Sequence, residues 1–73
     1  MKAILEFNLP EELEEYNLVN NAFKMHSALW DMEQWLRTQV KYAPDEISPY
    51  TYDAFEECIN KLNEILTDNN LEL

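Results

Sequence analysis

Residues 43–49, APDEISP, separate the chain's two longest amphipathic segments and form the one clear loop in the sequence. The loop contains two prolines and shows no apolar periodicity, which is typical of a connection between elements. Ser48 followed by Pro49 favours a helix start, because serine can cap backbone N–H groups and proline loses no hydrogen bond at the first helical position. We therefore predict one helix that ends before this loop and another that begins at its end.

The segment before the loop, residues 24–42, predicts a helix with two different faces. Trp35 borders the apolar face, whereas Trp30 points about 140° away from it at about 100° per residue. The side chains at spacings of three and four that form the apolar face are Met25, Ala28, Leu29, Met32, Leu36 and Val40. The opposite stripe contains His26, Trp30, Glu33, Gln34, Arg37 and Lys41.

The segment after the loop, residues 49–67, predicts another amphipathic helix. Its apolar stripe is the most regular in the chain and consists of Phe55, Cys58, Ile59, Leu62, Ile65 and Leu66. Because Cys58 lies inside this stripe, we expect a buried structural thiol rather than a reactive one.

The N-terminal residues 2–9, KAILEFNL, alternate between apolar and polar side chains except at Ile4 and predict a half-buried strand. Pro10 and the glutamates behind it are typical of a helix start, so a first helix is predicted over about residues 10–23, with a candidate break at Asn20-Asn21. The strand needs a partner for its backbone. Residues 71–73 could supply one within the chain, but they are few, and we favour pairing with a second copy across a two-fold axis. The predicted fold class is α+β, mostly α, in one small domain over residues 1–73.

Length and composition also favour association. A core in a chain below about 80 residues rarely supplies more than about 3–5 kcal/mol without disulfides, metals or oligomerisation. One cysteine and one histidine exclude an internal disulfide and a zinc site of the usual Cys/His kind. The chain has no glycine, which excludes the P-loop and the dinucleotide fingerprint and leaves left-handed helix ends to asparagine. We therefore expect a homo-oligomer without cofactor or metal.

Charge and hydropathy limit the partners. A net charge of −10 argues against duplex DNA binding, which depends on Lys and Arg neutralising phosphates. No apolar run is long enough for a membrane span, so we expect a cytoplasmic protein without membrane contact. Neither His26 nor Cys58 has a base or orienting group that the pattern identifies, and an enzyme is not expected.

Trp30, Arg37, Lys41 and His26 form the candidate binding site. Tryptophan and arginine are enriched at binding hot spots, and an indole directed away from the core costs solubility unless something covers its face. The side chains suit a protein partner or a nucleotide-like ligand, since indoles offer stacking surface and cations bind phosphate or carboxylate. Two alternatives stay open: another helix covers Trp30, or Trp30 lies in an oligomer seam. The charges alone have a simpler explanation, namely a helical Glu33–Arg37 ion pair and the dipole at the helix end.

The carboxylates allow a further hypothesis. Solvated helix faces explain them by default, but carboxylates along the first and third helices could mimic a nucleic acid and block a DNA- or RNA-handling enzyme. That alternative requires the two helices to share one side of the molecule.

The opening MKAILEFNLPEE, together with LWDMEQWLR and KY, resembles small acidic proteins of tailed bacteriophages and prophages. The resemblance implies an accessory role in the cytoplasm of a bacterial host, acting by stoichiometric binding to host defence or host machinery. The expected function is therefore inhibition, by binding a defence protein or sequestering a nucleotide signal. The alternatives are nucleic-acid mimicry and a self-assembling structural role.

Overall fold

The computed structural model describes residues 1–73 as three helices: α1 (Leu13–Asn20), α2 (Ala22–Lys41) and α3 (Pro49–Asp68). Helices make up 66% of the chain, and no residue lies in a strand. The α+β prediction is therefore wrong, because the chain is entirely helical apart from turns and irregular segments.

The predicted N-terminal strand is replaced by an irregular segment and a turn. Residues 1–7 make no backbone–backbone hydrogen bond, and residues 71–73 are not extended into a strand beside them. The Asn8 carbonyl accepts a hydrogen bond from the Glu12 N–H at 2.8 Å, and Phe7 packs edge-on against Tyr16 with ring centroids 5.8 Å apart. An alternating pattern produces a strand only where a neighbour satisfies the backbone, and nothing in the chain does so here. Strand pairing across an oligomer is therefore also a wrong prediction.

The turn before α1 shortens that helix relative to the predicted 10–23. Glu12 accepts hydrogen bonds from both the backbone and the side-chain N–H groups of Asn8, each at 3.2 Å. The break between α1 and α2 is a single residue, Asn21. Its N–H donates to the Asn17 carbonyl at 3.0 Å and its own carbonyl accepts from the Met25 N–H at 2.9 Å. The helical hydrogen-bond pattern therefore continues from α1 into α2.

Both ends of α3 match the sequence prediction. Ser48 Oγ accepts a hydrogen bond from the Tyr50 N–H at 3.2 Å, and Pro49 is the first helical residue. At the other end Asn70 has φ 56°, the left-handed conformation that asparagine tolerates better than most residues. The predictions of a Ser-Pro helix start and of asparagine at a left-handed helix end are confirmed.

The core lies between α2 and α3, which the seven-residue connection 42–48 folds back on each other as an antiparallel hairpin. Only Leu36 and Leu66 are buried, with 7% and 6% of their surface exposed. α1 contacts α2 but not α3. The hairpin therefore has one seam of contact and no third layer.

Several residues predicted to be buried are exposed for this reason. Met25 and Met32 were expected to face the core and are each about half exposed. Cys58 is also exposed, so the prediction of a buried thiol is wrong. A helix that packs on one neighbour buries only the centre of its apolar stripe, and the sides of the stripe stay open until something else covers them.

The molecule is elongated, with extents of 56 × 24 × 19 Å and a radius of gyration of 17.7 Å. A compact chain of this length has a radius of gyration of about 11 Å. The accessible surface is 6625 Å², whereas a compact folded monomer of 8.7 kDa exposes about 4,700 Å². None of the three helices has the length and apolar character needed to cross a membrane.

Candidate functional site

All four predicted site residues lie on α2, and they share one side of it, here called the Trp30 flank (His26, Trp30, Arg37 and Lys41). At about 100° per residue these positions fall within about 60° of one another around the helix. All four are exposed, and Trp30 keeps 47% of its surface in solvent. The Trp30 indole is therefore not fully covered by the other helices.

Trp30 lines a small depression on this flank together with His26 and Asp31. Its volume is about 270 Å³. The depression is open to solvent along one side of α2, since it is formed by residues of that helix alone. It offers one indole face, one imidazole and one carboxylate to a partner.

Arg37 and Lys41 line a second, larger groove of about 470 Å³. Tyr42 and Ile59 also border it, so this groove lies where α2 meets α3. Its lining combines two cations with aromatic and aliphatic surface. Such a mixture suits an acidic side chain or phosphate that brings apolar surface with it.

Arg37 is held in place by an ion pair with Glu33. Its Nε donates to Glu33 Oε1 at 2.7 Å, which confirms the predicted pairing at a spacing of four residues. The Glu33 side chain is only 12% exposed, whereas half of the Arg37 side chain is in solvent. Because the pair uses Nε, the terminal N–H groups of the guanidinium have no protein acceptor and can donate to an incoming anion.

Lys41 lies beside an aromatic ring rather than a carboxylate. Its Nζ is 5.3 Å from the centroid of the Tyr42 ring, within the range of a cation–π contact. The ring positions the ammonium without neutralising it. Lys41 has no carboxylate partner within the chain, so its ammonium group can contact an acidic group of a partner.

The four residues do not form one pocket. Trp30 and Arg37 are about 10 Å apart along the helix axis, since each residue advances an α-helix by about 1.5 Å. They open into two separate depressions, one with Trp30 and His26 and the other with Arg37 and Lys41. The arrangement is a strip along one helix and not an enclosed site.

Trp35 is more exposed than the sequence pattern predicts. It was predicted at the border of the core, yet 51% of its surface is exposed, and its ring packs edge-on against Phe55 with centroids 5.9 Å apart. Its position about 100° from Leu36 could have indicated this, because a residue that far from the seam is covered only by a third element.

The acidic residues of α1 and α3 are not assembled into one surface by packing, since these two helices do not contact each other. Around α3 they act on neighbouring groups. The Glu56 carboxylate, and to a lesser extent loss of solvent around the ring, raise the pKa of the Tyr52 phenol above its ordinary value. No three His, Cys, Asp or Glu side chains are grouped as metal ligands would be.

The side chains of the Trp30 flank are suited to binding an acidic group that brings apolar surface with it. They offer an exposed indole, two cations with unused donors and adjoining aromatic surface. It contains no arrangement of a nucleophile beside a base. Comparison with protein-family models, with curated proteins and with solved structures finds no match for the chain.

Proposed function

We propose that the protein is a non-catalytic accessory protein that acts by stoichiometric binding to another protein through the Trp30 flank. The observation that carries this proposal is the exposed Trp30 indole on the only segment of an acidic chain where cations collect. Tryptophan and arginine are the residue types most enriched at binding hot spots, and Trp30 and Arg37 lie on the same side of α2. The resemblance to small phage proteins narrows the role to inhibition of a host defence or other host machinery in the bacterial cytoplasm.

A protein partner fits the flank better than a nucleotide. Small-molecule sites enclose most of the ligand surface, whereas both depressions here are open, and Trp30 and Arg37, which line one each, are about 10 Å apart along the helix axis. Arg37 is also partly neutralised by Glu33. An extended partner surface can contact Trp30 and the two cations at once, and an acidic partner patch would complement them.

Nucleic-acid mimicry is the alternative function, but it draws less support. It needs a ribbon of carboxylates, and the two groups of acidic residues lie on helices that do not contact each other. Self-assembly as the only role is the other alternative. Homo-oligomer formation itself belongs to the proposal, because a chain that buries two residues has too small a core to be stable alone.

The test begins with capture of partners from a bacterial host lysate by the tagged chain and by two variants. Trp30→Ala removes the indole, and Tyr50→Ala removes an aromatic side chain that is exposed at the start of α3. A true partner is retained by Tyr50→Ala and lost by Trp30→Ala, while circular dichroism shows both variants equally helical.

Direct binding then measures affinity with the purified partner. We expect Trp30→Ala to weaken it by at least about 2 kcal/mol and Arg37→Ala by about 1 kcal/mol or more. Unchanged affinity in Trp30→Ala, or loss of helix in that variant, would contradict the proposal. Recovery of a nucleotide in place of a protein would assign the flank to a small ligand, and competition by DNA would favour mimicry.

A further inference from the structure

The side of the α2–α3 hairpin opposite the Trp30 flank is apolar and uncovered. It is here called the apolar flank and consists of Met25, Ala28, Met32 and Trp35 from α2 with Phe55, Cys58, Leu62 and Ile65 from α3. None of these side chains is charged. Met32 and Trp35 are each about half exposed, and Ile65 and Cys58 are exposed as well.

Helix geometry puts these residues on one side of the hairpin. Met32 and Trp35 lie about 40° and 100° to one side of Leu36, and Phe55 and Cys58 lie about 40° and 100° to the same side of Ile59. In an antiparallel pair these two directions face the same way, and the Trp35–Phe55 ring contact across the seam agrees with this. Arg37 lies on the other side, where it borders a groove with Glu56 and Asn60.

The spacing of the apolar residues is that of a helix bundle. Met25, Leu29, Met32 and Leu36 follow one another at intervals of four, three and four. In α3 the series Phe55, Ile59, Leu62 and Leu66 has the same intervals. Residues at such intervals form the seam along which helices pack as knobs into holes, and the exposure of Met25 and Met32 shows that one neighbouring helix covers only part of this seam.

We propose that the apolar flank is covered by a second copy of this chain, so that two hairpins form an antiparallel four-helix bundle. The small core agrees with this occupant, because a chain of this size that buries only Leu36 and Leu66 needs further support, and it has neither a second cysteine for a disulfide nor a group of metal ligands.

The absence of charged side chains on the apolar flank allows two copies to meet there. Two chains of net charge −10 repel each other through most of their surfaces, but they can meet on the apolar flank without burying a charged group. The flank itself has no charged side chain, and Lys24 borders it about 120° to the same side of Leu36. The hairpin buries only Leu36 and Leu66, so it requires a partner that covers the apolar flank at all times. A second copy meets this requirement, because it is present whenever the chain is made.

This inference rests on the proposed homo-oligomer but not on the binding role of Trp30, which lies on the opposite flank. A failure of the Trp30 test therefore leaves the bundle intact. A failure of the bundle would likewise leave partner binding through Trp30 standing.

The experiment measures mass in solution by sedimentation equilibrium for the unmodified chain, for Met32→Glu and for a matched control, Ser27→Glu. Both variants add one carboxylate to an exposed position of α2, but Ser27 lies outside the apolar flank. We expect twice the 8.7 kDa chain mass for the unmodified protein and for Ser27→Glu. For Met32→Glu we expect dimer affinity to fall by about a hundredfold or more, because the added charge would be buried without a partner.

A second measurement uses only the unmodified chain, so that the proposal stays testable if Met32→Glu fails to fold. Cys58 lies on the apolar flank, and its reaction with an aromatic disulfide reagent reports whether the flank is covered. We expect the thiol to be protected in the concentrated protein and to react at the rate of an open thiol on dilution. A folded monomer at all concentrations, a Met32→Glu dimer as tight as the control, or a Cys58 thiol that reacts freely in a dimer would each overturn the proposal.

Discussion

Tyr52 shows how the excess of carboxylates acts on individual residues. Glu56 lies one turn further along α3, and its negative charge disfavours a second negative charge on the phenol. Reduced solvation of the ring and the charge of Asp53 act in the same direction. The pKa of Tyr52 is therefore raised above 10.0, its ordinary value.

We predict that Glu56→Gln lowers the pKa of Tyr52 toward 10.0, whereas Glu57→Gln, a neighbour of equal charge, changes it much less. An NMR titration of the Tyr52 ring carbon resolves this tyrosine from the other three. The raised pKa of Tyr52 also determines how folding stability changes with pH. Because the pKa is higher in the folded state, the contribution to stability is complete below 10.0 and is lost as pH rises through the folded-state pKa. Equal pKa values in both variants would refute the assigned cause.

At the scale of elements, α3 has the best-defined start in the molecule. Ser48 accepts a hydrogen bond from the Tyr50 N–H, Pro49 occupies the first position, and no other helix has a side-chain cap at its N-terminus. The start of α3 also sets where the chain reverses after α2. Loss of this cap would therefore weaken the hairpin as well as the helix.

We predict that Ser48→Ala lowers the free energy of unfolding by about 1 kcal/mol, the usual loss for a serine N-cap. Ser27→Ala is the control, because Ser27 lies inside α2, where alanine is the better helix former. Urea unfolding followed by circular dichroism measures both at one protein concentration. The capping role would be rejected if the two variants unfolded at the same urea concentration as the unmodified chain.

For the whole molecule, the scarcity of buried residues makes each of them critical. Leu36 and Leu66 are the only side chains with less than a tenth of their surface exposed, so the hairpin depends on very few contacts. A single large cavity there removes a major part of the core.

We predict that Leu66→Ala lowers the free energy of unfolding by about 2–5 kcal/mol, enough to abolish helix formation because the core of so small a chain rarely supplies more than about 3–5 kcal/mol. Leu18→Ala makes the same chemical change at an exposed position of α1 and should cost well under about 1 kcal/mol. Helix content by circular dichroism and the thermal midpoint distinguish the two. Similar losses in both variants would mean that the hairpin seam is not the core.

Local features of this protein could be predicted from the sequence better than tertiary ones, because local features depend on nearby residues and tertiary ones depend on packing. The features that follow from periodicity and spacing depend on residues within a few positions of one another. They are the bounds of α2 and α3, the Ser48 cap, the left-handed Asn70 and the Glu33–Arg37 pair. The candidate site lies on one exposed side of α2, as the spacing of its four residues predicts. Its division into two depressions was not foreseen, because depressions depend on how neighbouring side chains and α3 border the helix.

The N-terminal segment shows what a sequence pattern lacks. Alternation in residues 2–9 describes a chain that could be a strand, but a strand exists only if a second one pairs with it. The turn at residues 9–12 and the Phe7–Tyr16 contact use the segment differently. Residues 2–9 therefore do not form a strand, because the chain has no second strand to pair with them.

By itself, the sequence determined where the two long helices run, how α3 begins and ends, and which side chains lie together on each helix face, because these depend on local backbone geometry. Only the tertiary structure decided which apolar residues are covered. Leu36 is buried and Met32 is open although both belong to one apolar face, since burial depends on where the neighbouring helix packs and not on the face itself.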